Sequence, residues 1–218
     1  MEGKKKTYRR ILLSFLVCLS PILIGVFFSS SLPSQIPIHF DFQGTPDNWM
    51  SKEMFFYGFP WFFALFDGVC LAASLCTKQG NPQNPVIETL LLWLLPAIEA
   101  ICYVSILLFV CKPGFQVERF IPGTMGVLSL ILGNLLPKAH QNSSFGFRNS
   151  YTLSSKEIWT KVNRAGGYGL CIIGLLLILS AFVGPVWLSL FLLPLVMLIL
   201  TIGLWIYSKN LSKALPHS

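Results

Sequence analysis

Charge is what this chain lacks: only 11% of its 218 residues are Asp, Glu, Lys or Arg, and just nine of those are acidic. A water-soluble globule needs far more polar surface, so a 54% hydrophobic composition with a mean hydropathy of +0.66 excludes that class and points to a membrane protein. Histidine is nearly absent, and His39, His140 and His217 all fall in loops or the tail. The cysteines at 18, 70, 76, 102, 111 and 171 stand singly, without CxxC or Cys/His spacing, and read as small apolar packing residues. No serine-histidine-acid, P-loop, HExxH or GxGxxG arrangement occurs. The chain is therefore expected not to be an enzyme, and to need neither cofactor nor metal.

Long apolar runs are what it has. Crossing a hydrocarbon core takes about 20 apolar residues, and six stretches qualify: Ile11–Ser29, Met54–Cys76, Val86–Cys111, Glu118–Leu136, Gly166–Gly184 and Val186–Tyr207. Only Gly184-Pro185 separates the last two, as in a tight helical hairpin. The expected fold is all-α and polytopic, with an N-terminal three-helix half (1–111) and a C-terminal one (112–218). Proline at 21, 60, 96 and 194 should kink its span and free a carbonyl that a neighbour must satisfy.

A net charge of +7 would suggest nucleic acid in a soluble protein, but its distribution argues against that. With six spans both termini share a side, and thirteen of the sixteen Lys and Arg fall there: five before the first span, Lys78, five between 137 and 164, and Lys209 with Lys213. Lys52, Lys112 and Arg119 lie opposite. The positive-inside rule makes the basic side cytoplasmic, so the charge sets orientation and meets anionic lipid headgroups. The basic start followed by about 19 apolar residues reads as an uncleaved anchor rather than a signal peptide.

Two loops are long. In the outer one, 30–53, Ile36, Ile38, Phe40 and Phe42 alternate with Pro37, His39 and Asp41, the period of a half-buried strand. Residues 44–48 (Gly-Thr-Pro-Asp-Asn) then read as the turn. His39, Asp41, Asp47 and Trp49 are candidate ligand contacts, for a metal or a cationic peptide; the competing reading is a surface hydrogen-bonded pair. In the inner loop, 137–164, Ser154 and Glu157 have capping-box spacing. Ile158, Trp159 and Val162 share one face, with Lys156, Lys161 and Arg164 on the other. This predicts a short interfacial helix ending where the chain enters the bilayer at Gly166. Leu32-Pro33 and Ser51-Lys52-Glu53 recur 104 positions later as Leu136-Pro137 and Ser155-Lys156-Glu157, a pattern compatible with a 3+3 inverted repeat.

Asp67 lies 13 residues from the outer start of its span and Glu99 12 from the outer end of the next. At ~1.5 Å per residue both sit at one depth, roughly 18–20 Å down. A charge there costs about 2.5–3.5 kcal/mol on insertion scales, so each carboxyl either carries a proton or faces a polar cavity. One reading is a shared-proton or cation site; the other is two neutral acids bonded to carbonyls freed by Pro60 and Pro96.

The stretch from Gly133-Asn134 through Pro137-Lys138, Asn142, Gly146 with Arg148, Thr152-Leu153 and Trp159 resembles the signature of the sporulation-delaying-protein immunity (SdpI) family of bacterial multi-pass membrane proteins. The outer loop resembles the domain that commonly precedes it. The match departs at Asn149-Ser150-Tyr151, where the family usually shows Thr-Pro-Trp, and at Val162-Asn163, where it shows Thr-His. The resemblance implies a bacterial plasma-membrane protein that gives resistance to a membrane-active peptide toxin outside. It also implies capture of a transcriptional repressor inside, through the signature residues together with Arg164. A small proton- or cation-coupled transporter or channel using Asp67 and Glu99 stands as the alternative, and a scaffold without small ligand as a third.

Overall fold

The computed structural model describes residues 2–41, 43–76, 84–142, 145–183 and 186–215; Phe42, Lys78, Gly184-Pro185 and His217 lie outside them. Six helical runs are long and apolar enough to cross a membrane: Tyr8–Phe28, Met54–Ala73, Pro85–Cys111, Val117–Lys138, Lys156–Val183 and Leu193–Ala214. Large apolar side chains such as Phe27, Phe182 and Val183 face outward, which in lipid is solvation rather than a liability. The chain divides into two compact units, Met1–Cys76 with Glu88–Glu118, and Thr77–Ile87 with Arg119–Ser218.

In the first unit the prolines shape the helices. The first span is α1 (Glu2–Cys18) and α2 (Ser20–Phe28). Pro21 has no N–H to donate, and near it the ladder tightens to i→i−3 bonds, Leu19 to Leu16 at 3.2 Å and Ile22 to Leu19 at 3.1 Å. The second span opens with a π-helical turn, Met54–Gly58, before α3 (Phe59–Cys76). In that turn the amide of Phe59 bonds the carbonyl of Met54. The equivalent donor for Phe55 would be residue 60, a proline, so the Tyr103 hydroxyl donates to the Phe55 carbonyl instead, at 2.6 Å. Pro96 lies inside α4 (Pro85–Cys111) and likewise frees the carbonyl of Leu92, which accepts from Ser14 Oγ at 3.0 Å.

The 30–53 loop is a two-stranded antiparallel hairpin, β1 (Gln35–Phe40) and β2 (Pro46–Ser51). The turn differs from the expected 44–48. Asp41 Oδ1 accepts from the amides of Gln43 and Thr45, both at 2.8 Å, so the reversal occupies 41–45 and Pro46 to Asn48 belong to β2. Ile36, fully buried, anchors the hairpin among Phe55, Phe56 and Tyr103.

In the second unit, α5 (Val117–Leu135) ends in a 3-10 turn, Leu136–Lys138. A short α6 (Ser150–Ser154) precedes α7 (Lys156–Val183) and α8 (Val186–Ala214). Helix α7 does not break at Gly166: the amphipathic segment 156–164 is the first part of one continuous helix and not a separate short helix. An internal glycine costs a helix only about 1 kcal/mol, and here small residues let two backbones touch. A Cβ on Gly126, Gly133, Gly167 or Gly174 would come within 2.6–2.7 Å of the carbonyl oxygen of the glycine opposite, in the pairs Gly126/Gly174 and Gly133/Gly167. Both pairs repeat at seven residues, one stripe on each antiparallel helix. Arg119 donates to the Ala181 carbonyl at 2.9 Å, capping the last turn of α7.

Gly174→Val should therefore force α5 and α7 apart. The expected cost is roughly 1–3 kcal/mol, read as a lower unfolding temperature in detergent; an unchanged temperature would contradict this packing.

Candidate functional site

The signature segment folds around two buried side chains from the start of α7. Trp159, 1% exposed, donates from Nε1 to the Ala139 carbonyl at 2.8 Å, pinning the chain just after the 3-10 turn that holds Pro137 and Lys138. Asn163, wholly buried, accepts from the Phe147 amide at 2.7 Å and donates to the Trp159 carbonyl at 3.0 Å. Gly146 passes between them at φ +128, where a Cβ would lie 2.7 Å from the Trp159 ring. No other residue type fits that backbone in that space.

Side-chain amides supply most of the remaining closure. Asn142 accepts from the Phe145 amide at 2.8 Å and donates to the carbonyls of Phe145 and His140. Gln141 Nε2 donates to the Thr152 and Leu153 carbonyls, at 2.8 and 2.9 Å. Asn149 caps α6, accepting from the Thr152 amide at 2.8 Å while Thr152 Oγ1 accepts from the Asn149 amide at 2.9 Å. Asn149 Nδ2 also donates to Ser208 of α8, at 2.7 Å.

The reciprocal cap thus belongs to Asn149 and Thr152, correcting the Ser154/Glu157 expectation. Ser154 lies inside α6, its hydroxyl on the Tyr151 carbonyl, while Ser155 is extended and accepts from the Ile158 amide at 3.4 Å. One residue of register makes the difference: Glu157 is left to pair with Lys161, at 2.7 Å.

The ten sequence-predicted residues therefore divide in two. Asn142, Gly146, Thr152 and Trp159 are internal struts, and Pro137 sits half-buried beside Gly167. Asn134, Lys138, Arg148, Leu153 and Arg164 are exposed. Arg164 joins Lys156, Lys161, Tyr168 and Tyr207 around an open groove of about 840 Å³. Tyrosines below a rim of cations are what a helix carries where it meets the bilayer surface.

In the first unit, His39 Nδ1 lies 2.6 Å from Asp47 Oδ1 as an exposed cross-strand pair, Asp41 builds the turn, and Trp49 is half exposed opposite Pro37. Among the described residues, no cluster of three or more His, Cys, Asp or Glu is placed to hold a metal.

Asp67 and Glu99 are 1% and 2% exposed. Ser14 Oγ stands 2.7 Å from Asp67 Oδ2, and the buried Cys18 thiol, one turn on, lies beside Glu99. Another turn back, Arg10 donates to Thr89 Oγ1 at 2.7 Å. Positions 10, 14 and 18 of α1 thus face positions 89, 92 and 99 of α4 as a polar ladder, with Asp67 entering from α3. The carbonyls freed by Pro60 and Pro96 are met by Tyr103 and Ser14, so the acids do not bond them as one sequence reading expected. The roles of Ser14, Cys18, Gln141, Asn149 and Asn163 are not legible from residue type; for Arg10, Ser14 and Cys18 the i, i+4, i+8 spacing is the signal that places them on one helix face.

Residues 138–208 match the SdpI/YfhL protein family, and residues 16–64 match a domain of unknown function, DUF1648. The chain is similar to the immunity protein SdpI of Bacillus subtilis (strain 168), with 24% identity over 195 residues, covering 89% of this chain and 92% of that protein. No solved structure matches. With its six spans, this relationship makes the chain a multi-pass bacterial membrane protein.

Asn163→Leu should leave the Phe147 amide buried without its acceptor. The expected loss is about 1–3 kcal/mol, with new protease cleavage near 145–148; an unchanged cleavage pattern would contradict the strut role of Asn163.

Proposed function

We propose that this chain is an integral-membrane immunity and signal-relay protein, protecting its cell from a membrane-active peptide toxin and holding a transcriptional repressor at the cytoplasmic face. The observation that carries the reading is the likeness to an immunity protein along nearly the whole chain, in both the outer hairpin region and the signature segment. The form of the signature segment supports the relay. A loop built only for chain reversal would not need a buried tryptophan, a buried asparagine and a positive-φ glycine to fix it. What that scaffold displays is cationic: Lys138, Arg148, Lys156 and Arg164.

Peptide toxin meets the hairpin on the outer side, at His39, Asp47 and Trp49. Repressor meets the exposed cations on the inner side. The two events are linked if toxin binds more tightly to one of two helix arrangements, since a ligand shifts an equilibrium only by its differential affinity. A transporter or channel is the second reading, favoured by the two buried carboxyls, each with one oxygen lacking a hydrogen-bond partner. Proton or cation flux through protein-loaded liposomes would mark it.

The test is expression in a sensitive bacterium, challenge with candidate peptide toxins, and measurement of membrane potential beside a repressor-controlled reporter. Wild type should protect, and deletion of residues 35–51 should not. Arg148→Glu with Arg164→Glu should spare protection yet abolish the reporter response. Each lost charge-assisted contact is worth about 1.5–3 kcal/mol, about tenfold or more in affinity. Parallel loss of both readouts would assign these cations to folding alone.

A further inference from the structure

We propose that Ser14, Cys18, Asp67 and Glu99 form a proton-binding site in which Asp67 holds an exchangeable proton and donates it, in a hydrogen bond, to Ser14. Hydrogens at Ser14 are one too few for its contacts. Ser14 has one hydroxyl hydrogen and two acceptors at bonding distance, Asp67 Oδ2 at 2.7 Å and the Leu92 carbonyl at 3.0 Å. An ionised carboxylate and a carbonyl can only accept, so one of these contacts would set acceptor against acceptor. Leu92 has no other donor in its helix, because residue 96 is proline, and hydrocarbon supplies no water.

A proton on Asp67 Oδ2 closes the count. Its O–H donates to Ser14 Oγ, and the Ser14 hydrogen goes to the Leu92 carbonyl. The other carboxyl oxygens point the same way: Asp67 Oδ1 and Glu99 Oε1 are buried with no hydrogen-bond partner, in residues more than nine-tenths buried. Two ionised carboxylates facing each other there would repel with little screening.

The surrounding groups favour a proton over a metal. From α1 come Arg10, committed to Thr89, and Cys18, beside Glu99; from α3 comes Asp67 alone; from α4 come Glu99, Cys102 near it, and Tyr103, committed to the Phe55 carbonyl. A structural or catalytic metal takes about four or more ligands, and no such donor set is assembled among the described residues. Arg10, half-buried, stands at the basic N-terminal end of the ladder. At the other end Tyr103, one turn beyond Glu99, packs on Ile36 of the hairpin. Loss of the proton would leave Ser14, with its single hydrogen, able to hold only one of its two partners, so α1 would lose its link to either α3 or α4.

Infrared spectra of the full-length protein in lipid nanodiscs, compared between H2O and D2O at neutral pH, decide the matter independently of any toxin. Wild type should show a deuterium-sensitive carboxylic-acid C=O band that loses intensity in Asp67→Asn, a near-isostere of the protonated acid. Ser14→Ala should keep the band but shift it to higher frequency, which provides the answer even if the Asp67 variant does not accumulate. No protonated-acid band in wild type, a band indifferent to both substitutions, or carboxylate bands that respond to sodium instead would overturn the assignment.

Discussion

A helix that crosses a bilayer with a proline in it exposes a carbonyl to a medium that offers no hydrogen bond. The first unit is organised around that constraint. Pro96 leaves the Leu92 carbonyl open and Ser14 closes it from α1; Pro60 leaves the Phe55 carbonyl open and Tyr103 closes it from α4. Each closure ties one span to another, so the kinks become the points at which helices are held. The buried acids follow from this placement. Asp67 shares Ser14 with the Leu92 carbonyl, and Glu99 lies on the α4 face that also carries Thr89 and Tyr103.

The second unit is held together by other means. Between α5 and α7 the spans carry glycine where backbones touch, and dispersion between closely packed atoms replaces side-chain hydrogen bonding. Polar closure is moved out of the spans into the signature segment, where Asn142, Asn149, Asn163 and Gln141 satisfy amides and carbonyls that no regular ladder reaches. That concentration of amide side chains makes a loop with a definite shape, and a definite shape is what a display surface for a partner requires. The aromatic and glycine positions of the signature are occupied in holding that shape, and its exposed face carries Lys138, Lys156 and Arg164.

Much of this was legible from residue type and period. The six spans followed from length and hydropathy, the buried and exposed faces of 156–164 from helical period, the β1 strand from alternation, and the burial of Asp67 and Glu99 from their place within apolar runs. What escaped was partner choice. That a proline frees a carbonyl is local knowledge, but that Ser14 lies 78 positions from the carbonyl it closes depends on which helices pack. Capping register was lost between two adjacent serines, because Ser154 and Ser155 offer the same hydroxyl and only the chain's turn after α6 separates them. Gly166 and Gly167 read as a helix start because glycine is a poor helix former in isolation; packing against α5 outweighed that preference. Strand β2 was hidden by Pro46 and Asp47, residues more typical of turns, which an edge strand tolerates.

The dependence of the first unit on proline-freed carbonyls is open to a double-mutant cycle of Ser14→Ala and Pro96→Ala, scored by unfolding free energy in detergent. Restoring an amide at 96 gives the Leu92 carbonyl its helical donor, so Ser14→Ala should cost about 1–3 kcal/mol in the parent protein and distinctly less beside Pro96→Ala. Equal costs in the two backgrounds would contradict the claim that Ser14 stands in for the missing donor.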